Sequence, residues 1–185
     1  VTSSAPDNQS ESAKLATLLA SAASGDFAAA TQAGLMLVKG DKVERDLPRA
    51  IALYREAAEG GYAIAQYNLA CLYLNGLGLE RNHEQAMFWF LKAAEQGDCD
   101  GQFNVAYMYD RGWGVSQSDE QAFHWYEKAA KSGSPRGQYD LAACYQHGKF
   151  VAIDRAQAIY WYRQAQASGV ARAARNLEEL LEQES

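Results

Sequence analysis

Glycines recur along this chain at a fixed interval. Gly25, Gly61, Gly97, Gly133 and Gly169 are each 36 residues apart, and so are Gly40, Gly76, Gly112 and Gly148. In a chain of 185 residues, such a period marks stacked supersecondary copies rather than one irregular core. The segments Tyr54–Gly61, Phe90–Gly97, Tyr126–Gly133 and Tyr162–Gly169 align on it without a gap.

Each copy reads as two helices. In the second copy, helix A is expected over about 47–60, with Ala50, Leu53, Tyr54, Ala57 and Ala58 on one face and Ile51 at its edge. The third copy places Ala86, Met87, Trp89, Phe90, Ala93 and Ala94 there. Trp89, Trp125 and Trp161 occupy one core column. Helix B is expected over about 63–75, with Gln66, Leu69, Ala70 and Tyr73 inward, echoed by Gln102, Val105, Ala106 and Tyr109 and by Gln138, Leu141, Ala142 and Tyr145. Small columns let helices approach, and the rings fill the space between layers. Both glycine series sit where a left-handed residue ends a helix. Asp46, Asn82, Ser118 and Asp154 take the N-cap register, three residues before Arg49, Gln85, Gln121 and Gln157. Ser118 with Gln121 reads as a capping box.

The pattern predicts an all-α array of about five 36-residue helix-turn-helix copies, near 11–46, 47–82, 83–118, 119–154 and 155–185. The first is degenerate, with Leu18 in the ring column. Residues 1–10 are polar and are expected to be a disordered tail or a linker, as the end of a processed or trimmed chain. The last helix, ending Glu178–Ser185, reads as a polar cap. Cys71, Cys99 and Cys144 fall on three different helices. The last two are offset on the order of 13 Å along the helices, against the ~7 Å between Cα atoms that a disulfide spans, so three free thiols are expected. With 17 Lys+Arg against 23 Asp+Glu, the net charge is −6. That excludes a basic nucleic-acid footprint, and no apolar run is long enough for membrane insertion.

At these residues the chain resembles the Sel-one-like repeat (SLR) family, relatives of the tetratricopeptide repeats. The resemblance spans about residues 11–185. It is carried by Ala122-x-x-Trp125-Tyr126 and Ala158-x-x-Trp161-Tyr162, the Ala-Ala-x-x-Gly turns, and the loop Gly112-Trp113-Gly114-Val115. It implies a right-handed α-solenoid with helix A on the concave side, and a non-catalytic role in gripping other proteins. Some bacterial relatives are exported, and some serve as immunity proteins against type VI phospholipase toxins. The expectation is a monomeric periplasmic or secreted adaptor that neutralises a toxin. The alternatives are a cytosolic or secreted scaffold for signalling or host contact, or a lactamase-like or cell-wall enzyme.

The helix A face away from the core varies between copies while the core columns do not, so folding does not dictate it. Phe88, His124 and Tyr160 form one column of rings there. Leu91 and Lys92, Lys128, Arg163 and Arg55 flank it. Aromatic anchors bordered by charge are what binding surfaces use. Trp113, in a loop column otherwise holding Leu77 and Lys149, is a second candidate.

No cofactor or metal is expected. Gly76-Leu77-Gly78 and Gly112-Trp113-Gly114 follow helices and lack the third glycine of a dinucleotide loop. Asp98-Cys99-Asp100-Gly101 has its glycine at the wrong place for a calcium loop. His83, His124 and His147 lie in different copies without ligand spacing. No Ser-x-x-Lys or Lys-Thr-Gly occurs.

Overall fold

The computed structural model describes residues 5–182. Among the described residues are ten α-helices and no strand: α1 (Ala5–Ala23), α2 (Phe27–Lys39), α3 (Leu47–Glu59), α4 (Ala63–Asn75), α5 (His83–Glu95), α6 (Cys99–Arg111), α7 (Asp119–Lys131), α8 (Pro135–His147), α9 (Arg155–Ala167) and α10 (Ala171–Glu182). Odd-numbered helices are the A helices and even-numbered ones the B helices; α1 to α4 pack in succession, and so do α6 to α10. None of the described helices is long and apolar enough to cross a membrane. Contacts divide the chain into two compact halves, Val1–Ala93 and Ala94–Ser185.

Part of the stretch expected to be a disordered tail or linker is ordered. It is helical from Ala5 onward, so α1 begins ahead of the repeat register near residue 11. Residues 1–4 lie outside the described residues, as do 183–185 of the expected polar cap. The physical reason lies further along α1. Leu15, Leu18 and Leu19 are half-buried and anchor the helix, and extension from an existing helix adds one hydrogen bond per residue fixed. Proline at position 6 falls in the first turn, where its missing N–H has no intrahelical partner to lose.

The turns follow the two glycine series. After α3, the N–H of Gly61 donates to the Ala58 carbonyl at 3.1 Å and that of Tyr62 to Ala57 at 2.9 Å, the double closure of a Schellman motif. The same pair recurs after α7, where Gly133 has φ 90°. The B helices α2, α4, α6 and α8 end on a left-handed glycine instead: the N–H of Gly76, φ 68°, donates to the Leu72 carbonyl. At the next helix start, Asp46 and Asp154 each accept from the N–H three residues on at 3.0 Å, Asn82 at 2.9 Å and Ser118 at 3.3 Å. The expected capping box is half formed. The Ser118 N–H that a reciprocal Gln121 bond requires already donates to the Tyr109 carbonyl at 3.1 Å. Asp46, Asn82 and Asp154 likewise donate back to Leu37, Tyr73 and Tyr145. A backbone bond to the preceding B helix thus does the work of the side chain.

In the N-terminal half the core gathers around Tyr54 and Phe90, 2% and 0% exposed. Tyr54 fits because position 34 of α2 is glycine: a Cβ there would lie 2.6 Å from the Tyr54 ring. Phe90 meets Tyr67 of α4 at 5.7 Å between centroids. In the C-terminal half, Tyr126 packs on Phe103, while Tyr162 lies among Ala142, Ala158, Ala165, Ala173 and Leu177. The Tyr162 hydroxyl donates to Gln146 Oε1 at 2.6 Å and accepts from Asn176 at 3.0 Å, and burial pushes its pKa up to about 12. Gln66 and Gln102 are buried as expected. Each donates its amide across the pair to an A-helix carbonyl, Ala58 at 3.1 Å and Ala94 at 3.2 Å.

Two expected core columns shift. Tyr73, Tyr109 and Tyr145 are only half-buried, while Leu72, Met108 and Cys144 beside them are buried. The phenol oxygen needs water or a partner, so these tyrosines sit at the edge; that of Tyr73 accepts from Arg55 Nη2 at 3.5 Å. Trp89 and Trp125 are buried, but Trp161 is half-buried, because no described helix follows α10 to cover that edge.

Gly133 has open space where a Cβ would stand. Gly133→Ala is therefore expected to cost only the left-handed backbone strain, about 1–2 kcal/mol. The check is a lower urea midpoint with unchanged slope; no shift contradicts the turn geometry.

Candidate functional site

The helix A column is exposed where expected. Phe88 on α5 is 47% exposed and Tyr160 on α9 is 51% exposed. Neither ring is loose. Adjacent helical residues diverge by about 100°, which brings each large ring edge-on to its neighbour. Phe88 meets Trp89 with centroids 4.9 Å apart and planes at 82°; Tyr160 meets Trp161 at 4.9 Å and 81°. His124 repeats the arrangement on Trp125 at 5.7 Å and 77°. An exposed ring fixed in this way loses little further freedom on binding.

The flanking residues divide between the two halves. In the N-terminal half, the Lys92 ammonium lies 5.0 Å from the centre of the Phe88 ring, Leu91 is half-buried, and exposed Arg55 reaches Tyr73. In the C-terminal half, Lys128 lies over Trp125 at 4.5 Å rather than over His124, and Arg163 is exposed. Trp113 stands in the loop after α6. It is 36% exposed and packs edge-on against Tyr107 at 5.5 Å.

The other sequence candidates resolve into structure. Asp98 is the N-cap of α6, accepting from the Gly101 N–H at 2.6 Å, and burial raises its pKa. Cys71, Cys99 and Cys144 are joined by no disulfide, as expected. Burial pushes Cys144 up to about 12 and raises Cys99 as well.

A cleft of about 380 Å³ in the C-terminal half was not anticipated. Residues of α6, α8 and α10 line it, including Arg111, Arg136, Arg172, Asp110 and Asp140, with Lys149 at its rim. Lys149 Nζ is 2.7 Å from both carboxylate oxygens of Asp110. The Asp140 carboxyl is raised above the usual carboxylate range. Burial is the main cause; Arg172, Arg136 and Lys149 pull it back, and Asp110 adds to the rise. The sequence holds one signal for this cleft: Arg136 and Arg172 share a register one repeat apart.

The Sel1 repeat family matches the chain in four consecutive copies, at residues 28–62, 63–98, 99–134 and 135–169. Those copies open on B helices, the same period read in the other phase. A crystal structure of a protective antigen of uropathogenic Escherichia coli with an SLR fold is 33% identical, with a TM-score of 0.84, over 88% of this chain and 35% of that one. A Sel1 repeat protein from Oxalobacter formigenes is 31% identical, with a TM-score of 0.80, over 86% of this chain and 64% of that one. This chain thus spans about a third of the first relative's length and just under two thirds of the second's. An immunity protein from Pseudomonas aeruginosa shares the fold at 18% identity and a TM-score of 0.61, over 86% of this chain and 59% of that one. No curated protein matches the sequence.

Because its folded pKa is raised, ionised Asp140 weakens the fold. The penalty is absent below the ordinary carboxylate range and appears as pH rises through the folded value. Asp140→Asn is expected to raise the melting temperature at about pH 7 and to match wild type near about pH 3. An offset independent of pH contradicts this account.

Proposed function

We propose that this chain, which belongs to the Sel1 repeat family, is a non-catalytic module that binds another protein through the exposed rings of its A helices. The observation that carries the reading is the repeated ring pair. Phe88 and Tyr160 are half-exposed, yet each is held edge-on by a tryptophan at the same distance and nearly the same angle. The fold does not require a ring at this register, since the second copy holds Ala52 there. Rigid aromatic anchors bordered by charge suit the hot spots of a protein interface.

Neutralisation of a secreted toxin in the periplasm or outside the cell is the most concrete form of this role. The shared fold with an immunity protein suggests that outcome. A small acidic chain covering an enzyme's surface is consistent with the net charge of −6.

The test is affinity capture from the native source, with a Phe88→Glu, Tyr160→Glu double variant of unchanged melting temperature beside wild type. Wild type is expected to hold one dominant enzyme and abolish its activity, and the variant to bind it at least roughly 30-fold more weakly. Equal capture by both removes the rings from the interface. Capture without inhibition replaces the inhibitor with a scaffold.

A further inference from the structure

We propose that the cleft between α6, α8 and α10 is a second binding site, which takes an extended acidic peptide segment. It lies apart from the A-helix rings, and the two assignments stand or fall separately.

The charge balance points to an anion. Asp110 and Lys149 neutralise one another through a two-oxygen contact at 2.7 Å. That leaves Arg111, Arg136 and Arg172 against Asp140 alone. Among the described residues none of these three arginines has a carboxylate within 4.0 Å. A cationic surplus thus collects in one cleft of a chain whose net charge is −6.

The repeat does not require two of these cations. Arg136 and Arg172 are the second residues of α8 and α10. A positive charge in the first turn opposes the helix dipole. The same register holds Ile64 in α4 and Asp100 in α6, so the copy folds without arginine there.

The guanidinium groups are already positioned. Arg136 lies over Phe103 at 4.3 Å, and Arg172 over Tyr139 at 3.9 Å. Phe103 and Tyr139 are themselves one repeat apart, so the stack is a two-rung ladder on successive B helices. Arg111 lies over Tyr107 at 5.3 Å. A stacked guanidinium keeps its edge N–H groups free for a carboxylate, and little further ordering is needed.

The rim carries a backbone irregularity. Phe150 is the one non-glycine residue at positive φ among the described residues, at 69°, where earlier copies hold Gly78 and Gly114. A bulky residue persists there only if its surroundings hold it. Lys149, next to it, bridges the Phe150 ring at 4.5 Å and Asp110. This contact keeps Asp110 neutralised and out of the ligand's way.

A peptide fits this arrangement better than a single compact anion. The arginines do not converge on one point but sit on successive helices, roughly 10 Å apart by ordinary helix packing. An extended segment in the polyproline II form advances about 3.1 Å per residue with three residues per turn, so carboxylates three residues apart share a face and match the two rungs. Asp140 between the rungs disfavours a concentrated dianion. Half-buried Tyr107 and Ala143 offer an apolar wall to the intervening residues.

The experiment is fluorescence anisotropy with a labelled Ser-Glu-Val-Thr-Glu-Ser peptide and its Gln-for-Glu counterpart. Wild type is expected to bind the acidic peptide, more weakly as salt rises, and to ignore the amide form. An Arg136→Gln, Arg172→Gln double variant should lose at least about tenfold in affinity. Arg49→Gln, in the other half, should lose nothing. Asp140→Asn keeps every cation and should bind about threefold more tightly. Equal binding of both peptides, an unaffected arginine variant, no gain for Asp140→Asn, or displacement by inorganic phosphate at the peptide's own concentration each overturns the proposal.

Discussion

The burial of one aromatic ring in each copy after the first, against small residues on the neighbouring helices, is the contact on which the other contacts depend. Tyr54, Phe90, Tyr126 and Tyr162 hold this register and are between 0% and 4% exposed. Each such burial contributes on the order of 2–3 kcal/mol, but only if the facing positions stay small. Gly34 shows how tight the limit is, since one added carbon meets the Tyr54 ring. In the last copy Ala142, Ala158, Ala165 and Ala173 make the same concession to Tyr162. The alanine columns are therefore the mould for the rings, and their helix propensity is a secondary benefit.

With the rings in place, the turns need only set the angle and spacing of each pair. Schellman closures after the A helices and left-handed glycines after the B helices satisfy the terminal carbonyls. The buried glutamines tie the end of an A helix to its B partner. The N-cap residues then bond forward through their side chains and backward through their own N–H groups. Most of the polar groups that the ring layer draws out of water are met within the repeat or by the preceding helix, so one pattern can be reused along the chain.

Freedom left over from folding is spent on two surfaces of different chemistry. On the A helices it yields rings that are exposed and still braced. On the B helices of the C-terminal half it yields stacked arginines that oppose the helix dipole. Both depart from what the repeat requires, and both fix a side chain that would otherwise move. Sites that break a local preference without helping the fold are where function is expected.

The sequence by itself determined the plan of paired helices from the second copy onward, α3 to α10. The 36-residue glycine period, the cap register and the alternation of small and ring columns each report local backbone geometry, which depends on near neighbours. It also separated the constant core from the variable A-helix face, and so exposed Phe88 and Tyr160 in advance. Helical residues 5–10 were hidden because their polar composition says nothing of the leucines downstream that anchor the helix. The half-burial of Tyr73, Tyr109 and Tyr145 was hidden because adjacent wheel positions differ only in whether a phenol oxygen finds water. Only the tertiary structure decided the arginine cleft. Arg136 meets Phe103 and Arg172 meets Tyr139 across 33 residues of chain, a separation no helical period encodes, since stacked helices and not sequence neighbours bring the two groups together.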